Sequence, residues 1–180
     1  MSTVILVGGN GYIGREITKE WLRRDPGAEI YVTSRSDRHI DREPRVHQIH
    51  VDANDSAAFA KALPASADYI VNLTYGAPGA LKNLRDYAET HGVQAIGNIG
   101  VILSAPATEE FVAMKKRELD FLRASTVRVE NCDISVAYGS GRDDEIAKMV
   151  RAGAFDDHVP IHVEIVARLL IDRLTLDWKN

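Results

Sequence analysis

The sequence predicts an α/β protein: a single Rossmann-type, doubly wound parallel sheet with helices on both faces. Three observations carry that prediction. Short β-branched runs alternate with stretches of helical periodicity along the 180 residues. The first run, Thr3–Val7, is apolar throughout, as a strand buried on both faces of a parallel sheet must be. A glycine-rich turn, Gly8-Gly9-Asn10-Gly11-Tyr12-Ile13-Gly14, then joins it to the first helix.

The elements follow in order. Tyr12–Arg24 places Ile13, Ile17, Trp21 and Leu22 at helical spacing, and Asp25-Pro26-Gly27 ends it. Ile30–Thr33 and Val46–Val51 are the second and third strands, with a short helix over Asp55–Leu63 stopped before Pro64. Asp68–Leu73 is the fourth strand, followed by a helix from about Ala80 to His91 that stops at Gly92. Val93–Ile99 is a weaker fifth strand, interrupted by Gly97. In the helix Glu109–Ala124, Thr108 can cap the first turn, where Glu109 and Glu110 complement the dipole. Thr126–Cys132 is the sixth strand, and two further helices cover Asp143–Arg151 and Glu164–Leu176. The whole chain reads as one domain, with a small substrate-side segment at about 133–180.

Composition narrows the function classes. With 45% hydrophobic and 27% charged residues the chain sits near the globular average. A net charge of −4 offers no general attraction for nucleic acid or an anionic membrane. The lone Cys132 permits no internal disulfide and reads as a buried small hydrophobe, which fits a cytoplasmic location. No apolar run reaches the roughly 18–20 residues of a spanning helix. His47-x-x-His50 lies on a strand at a spacing that sends the two rings to opposite faces, and His158-x-x-x-His162 spans Pro160, so no metal site is expected.

The glycine turn carries the chemistry. Gly8 and Gly9 let the chain turn out of the strand, and Gly11 lets backbone approach a pyrophosphate with no Cβ in the way. Gly14 is expected to bring the helix close to the sheet, so that its first amides and its dipole face the diphosphate. Ordinary turn glycines are the competing explanation, and the strand-turn-helix context argues against it. The turn lacks the Gly-Lys-Ser/Thr ending of a Walker loop, which disfavours nucleotide hydrolysis.

The end of the second strand reads the cofactor. An NAD enzyme places an acidic residue about 20 residues beyond the turn. Here that distance reaches Ser34 and Arg35, with no carboxylate before Asp37. A hydroxyl beside a guanidinium can hold a 2′-phosphate, and a bond to a charged group is worth roughly 1.5–3 kcal/mol. NADP is therefore expected ahead of NAD, unless Arg35 is one more solvated arginine beside Arg38, Arg42 and Arg45. Asp52 either bonds the adenine amino group or caps the next helix. Leu73 and Thr74 are expected to run beside the ribose and nicotinamide, mainly through backbone.

With these residues in place, the chain resembles the short-chain dehydrogenase/reductase superfamily. It is most similar to the atypical and extended branches: NmrA-like, flavin-reductase-like and sugar epimerase/dehydratase proteins. The similarity rests on Gly8–Gly14, on Val127-Arg128 through Tyr138-Gly139, and on Ile161–Arg168, with Ile165 where an Asp is usual. The family signature is Tyr-x-x-x-Lys on the helix after the fifth strand, the Tyr moving a proton and the Lys binding the nicotinamide ribose. The matching residues are Phe111 and Lys115, so the resemblance implies cofactor binding but not the usual acid/base chemistry. Lys115 is either the ribose lysine or a surface lysine. The family's Ser falls near Gly100, with Ser104 the nearest hydroxyl. Tyr75 and Tyr138, in loops expected to open toward the nicotinamide end, are candidate replacement acids or packing residues.

The resemblance thus implies an NADP(H)-binding oxidoreductase-like protein, with a small flat molecule as the expected hydride acceptor. A nucleotide-sugar pocket is hard to build from the 48 residues Asp133–Asn180 alone, although a partner subunit could complete one. The alternative is a non-catalytic module that senses NADP(H) and acts through a protein partner. The apolar stripe of the last helix is assigned to the core, with a homodimer seam as its other use.

Overall fold

A computed structural model describes residues 1–36, 43–103, 107–139, 141–155 and 159–176. Six parallel strands form one sheet: β1 (Thr3–Val7), β2 (Glu29–Ser34), β3 (Val46–His50), β4 (Tyr69–Asn72), β5 (Ala95–Val101) and β6 (Arg128–Ile134). Their order is β3-β2-β1-β4-β5-β6, so the strand order reverses between β1 and β4. That gap at the carboxyl edge is where a doubly wound sheet receives its ligand.

Helices α1 (Tyr12–Arg24), α2 (Ser56–Ala62), α3 (Pro78–Thr90) and α4 (Glu109–Arg123) connect these strands. The alternation of β1 decides which residues meet which helices. Val4 and Leu6 join Ile17 and Trp21 of α1 in one buried cluster, whereas Ile5 and Val7 join Phe59, Leu84 and Leu122 from α2, α3 and α4 in the other. The last helix, α6 (Val163–Thr175), buries Val166, Leu170 and Leu174 in the α1-side cluster. Its apolar stripe is therefore core. Between β6 and α6 run α5 (Glu145–Arg151) and a two-stranded parallel sheet of β7 (Ala137–Tyr138) and β8 (Ile161–His162).

Two expectations change. β5 is no weak strand: it runs seven residues and all but Val101 are buried. A side chain at Gly97 would come within 3.1 Å of Leu174 Cδ1 and 3.2 Å of Val71 Cγ2, so the glycine admits α6 onto the sheet rather than interrupting it. β7 and β8 were not expected, because two-residue strands carry no periodicity. The two histidines of β3 do diverge: His47 stacks on Tyr31 and pairs with Glu29, while His50 meets the Arg35 carbonyl. Asp37, Arg38, Arg42, Ser104 and His158 lie outside the described residues.

Glu20 fastens α1 to its surroundings. Its nearly buried carboxylate accepts from Arg23 at 2.7 and 2.8 Å and from Arg24 at 2.7 Å, and Arg24 reaches Asp172 of α6 at 2.5 Å. The bonds from Arg23 and Arg24 outweigh the cost of burial and hold the Glu20 carboxyl at about 2, against an ordinary 4.5. A depressed carboxyl stabilises the fold above its unfolded value, and that stability drains away as pH falls from about 4.5 toward about 2. Glu20→Gln is expected to lower the melting temperature near neutral pH, with the gap to the parent protein closing across that acid window in a pH series.

Candidate functional site

A cleft of about 630 Å³ opens at the carboxyl edge, between the glycine turn, the chain after β4, the start of α4 and the segment after β6. The turn is built by contacts that only glycine permits. Gly8 has φ +76°, and a Cβ there would lie 2.9 Å from Thr74 Cγ2. At Gly14 a Cβ would strike the Gly9 carbonyl and lie 2.7 Å from Gly9 Cα. Gly14 thus lets the start of α1 lie directly on the Gly9 backbone, where the chain leaves β1. The Gly8 amide donates to Thr33 Oγ1 and the Gly9 amide to the Thr33 carbonyl, both at 3.2 Å.

Gly11 is the N-cap of α1 and supplies no side-chain bond. The helix therefore starts with amides that its own backbone cannot satisfy, beside an open space where a Gly11 Cβ would meet nothing within 4 Å. Gly11, Tyr12, Ile13 and Gly14 all line the cleft. Uncapped amides, a helix dipole and room for a close approach fit a dinucleotide diphosphate. Gly9 and Asn10 lie in the turn behind this wall, outside the cleft lining.

Opposite the turn stand Phe111 and Lys115 of α4. Lys115 is no surface lysine: it is 6% exposed, with Nζ 2.9 Å from Glu118 Oε2 and 3.5 Å from the Thr74 carbonyl. Glu118 Oε1 also accepts from the Gly76 amide at 2.8 Å, where φ is +61°. One carboxylate so ties the lysine to the loop after β4. Leu73, Thr74 and Tyr75 line the cleft along that loop. Tyr75 is exposed and sets its ring edge-on to Phe111, centroids 5.8 Å apart.

Tyr138 does not reach this space. It lies on β7, packs edge-on to His162 at 5.1 Å, and is absent from the cleft lining, because the short sheet turns the expected loop away. Ser34, Arg35 and Asp52 lie beyond the cleft, past β2 and β3 on the same edge of the sheet. Ser34 Oγ accepts from the Ser36 amide at 3.0 Å. Asp52 turns back on Asn54, accepting its amide at 3.0 Å and its side-chain amide at 2.9 Å. Those bonds, with the Arg35 charge, hold the Asp52 carboxyl below its ordinary value. Asp55, not Asp52, caps α2, through the Ala58 amide at 3.0 Å.

Sequence reasoning missed two features. Asn72, Asn98 and Asn131, each buried, sit side by side on β4, β5 and β6. Asn72 donates to Asn98 at 2.9 Å, Asn98 to Asn131 at 2.7 Å, and Asn131 to Asp133 at 2.7 Å. Asn72 Oδ1 accepts from the Thr74 hydroxyl at 2.7 Å, so this polar row fixes the loop that borders the cleft. Asp133 lies against Gly100, near which the resemblance sets the family's Ser, and a Cβ at Gly100 would collide with its carboxylate. An asparagine within each of three consecutive sheet strands was the available signal, since a buried amide needs partners. The second feature is Arg142, whose guanidinium stands 4.7 Å from the Tyr12 ring centroid and donates to the Ala137 carbonyl at 2.6 Å and to Asp144 at 2.9 and 3.0 Å. Burial raises the Tyr12 phenol, with Arg142 pulling the other way. Only a long-range fold contact reveals that pair.

A family model, the NAD dependent epimerase/dehydratase family, matches residues 4–130. No curated protein matches in sequence. Among solved structures the chain is similar to the enzyme WbmH of Bordetella bronchiseptica in complex with NAD+, at 14% identity and TM-score 0.74, covering 97% of this chain and 72% of that one. It is also similar to vestitone reductase from alfalfa, Medicago sativa, at 15% identity and TM-score 0.74, covering 98% and 74%. A nucleoside-diphosphate-sugar epimerase from Staphylococcus aureus aligns at 14% identity and TM-score 0.71, covering 97% and 67%. Such distant likenesses establish the shared sheet and its helices.

Two substitutions separate the turn's structural task from its binding task. Gly14→Ala drives a methyl into Gly9 backbone and is expected to destabilise the fold by about 1–3 kcal/mol. Gly11→Ala meets nothing, and its φ of −75° suits alanine, so stability should hold. Calorimetry should nevertheless show nicotinamide dinucleotide binding weakened about tenfold (~1.4 kcal/mol), because the methyl stands where the diphosphate must approach.

Proposed function

The chain belongs to the NAD-dependent epimerase/dehydratase family, and from that premise we propose that it is an NADP(H)-dependent oxidoreductase passing hydride to a small flat acceptor. The uncapped start of α1, facing Lys115 and Phe111 across one cleft, carries this reading. When bound, the reduced nicotinamide supplies the hydride. The residues around it bind, orient and shield. The amides of Tyr12, Ile13 and Gly14 receive the diphosphate. Lys115, held by Glu118 and the Thr74 carbonyl, keeps donor capacity for the nicotinamide ribose. Ser34 and Arg35, with no acidic residue on β2 after Glu29, favour a 2′-phosphate.

The proton decides the acceptor. Reducing a quinone-like molecule to its hydroquinone consumes one hydride and one proton, and leaves the coenzyme oxidised. Phe111 has no hydroxyl to give. A carbonyl substrate would lose the roughly 10²–10⁴-fold that a positioned acid contributes, whereas a quinone-like acceptor can draw its proton from water. Tyr75 is the phenol assigned to assist in this reading, supported by its edge-on contact with Phe111 and its exposure to solvent. Tyr138 has no such position. The nearly buried Cys132, its thiol raised by burial, suits a cytoplasmic protein, and no described helix is long and apolar enough to cross a membrane.

Arg35→Ala is expected to weaken NADP binding about tenfold or more while changing NAD binding little, since only the former carries the 2′-phosphate. Equal losses in calorimetry would remove the cofactor preference. Absorbance of NADPH, followed with a panel of quinones, flavins and aldehydes, tests the reaction itself. Oxidation by flat acceptors is expected, with aldehyde turnover appearing or rising only in Phe111→Tyr. Saturable NADPH binding with no acceptor oxidising it would instead favour a non-catalytic NADP(H) sensor, the reading that the missing hydroxyl of Phe111 supports.

A further inference from the structure

Among the described residues the cleft carries two basic side chains, Lys115 beside the expected nicotinamide ribose and Arg142 on the wall after β6. Each is already matched. Lys115 and Glu118 form a pair at 2.9 Å, with side chains 7% and 10% exposed. Arg142, 10% exposed, is held at 2.9 Å by Asp144, which also caps α5 by accepting the Ala147 amide at 2.9 Å. The remainder of that wall is apolar or hydroxyl-bearing: Ile99, Val101, Phe111, Ile134, Val136 and Ser135. A nucleoside diphosphate brings two or more negative charges, and desolvating them here without a free cation is unfavourable. The positive ends available to an anion, the α1 amides, are on the cofactor's side of the cleft.

We propose that the half of the cleft along the wall after β6 selects an uncharged, flat apolar acceptor, and that Asp144 is a specificity-determining residue that cancels the Arg142 charge against anionic substrates. The proposal rests on the oxidoreductase reading above and sharpens it by naming the acceptor's class. Asp144 holds Arg142 against the Ala137 carbonyl and over the Tyr12 ring, so the guanidinium serves as a flat, polarisable wall rather than an anion clamp. Losing the carboxylate frees one positive charge inside a partly enclosed space. A charge–charge interaction there is worth on the order of tenfold or more in affinity.

The test uses the full chain saturated with NADP+, which prevents turnover, and three probes. These are 2-(hydroxymethyl)anthraquinone, anthraquinone-2-sulfonate, which carries an anionic sulfonate in place of the neutral hydroxymethyl group, and UDP. In calorimetry the parent protein is expected to bind the neutral quinone at least about tenfold more tightly than the sulfonate and to take no UDP. Asp144→Asn keeps an oxygen for the Ala147 amide, so α5 stays capped. It should raise sulfonate affinity relative to the neutral probe about tenfold. Adding Arg142→Gln to that variant should abolish the gain. The proposal fails if the parent protein prefers the sulfonate or binds UDP, if neither quinone binds the NADP+ complex, or if Asp144→Asn leaves the ratio unchanged. A protein that takes up no NADP+ at all fails instead at the cofactor step, which a prior titration with coenzyme alone reveals.

Discussion

A helix begun without a side-chain cap, at the point where the sheet changes direction, is the constraint on which the rest of this molecule depends. Gly11 caps α1 with backbone alone, so the first amides of the helix require a partner from outside it. The turn can present them only because Gly8 takes a positive φ and because Gly14 lies against the Gly9 backbone. Thr33, on the neighbouring strand, accepts from both Gly8 and Gly9 and fixes where the turn stands. Sequence, local geometry and ligand chemistry meet there.

Around that turn the cleft is organised by cancelled charge and shared amides. The row Asn72–Asn98–Asn131 spends buried polar groups on holding the loop after β4, and Glu118 fastens that loop to Lys115 from the other side. Among the described residues, each cation lining the cleft has a carboxylate at bonding distance, which leaves the α1 amides as the strongest place there for an anion. This arrangement is the reason the proposal favours an uncharged acceptor over a second diphosphate for this member of the NAD-dependent epimerase/dehydratase family.

Much of this was legible in the residues alone. Apolar Thr3–Val7, the helical spacing of Tyr12–Arg24 and the Thr108 cap all lie where periodicity and capping chemistry put them, because each is decided within a few residues. The glycine turn was readable for the same reason. Gly97 misled, since a glycine in a strand looks like a defect until Leu174, far along the chain, is seen packing onto it. Tyr138 misled similarly: two two-residue strands redirect it, and such short pairing leaves no pattern. The Arg142–Tyr12 contact and the asparagine row join distant segments, so only the assembled sheet shows them.

The most direct measurement of the central claim is an amide-resolved NMR titration with NADPH. The account predicts that the largest shifts fall on the backbone amides of Gly11, Tyr12, Ile13 and Gly14, with slower hydrogen exchange at the start of α1. Saturable binding that leaves those four amides unmoved, or no binding at all, would contradict it.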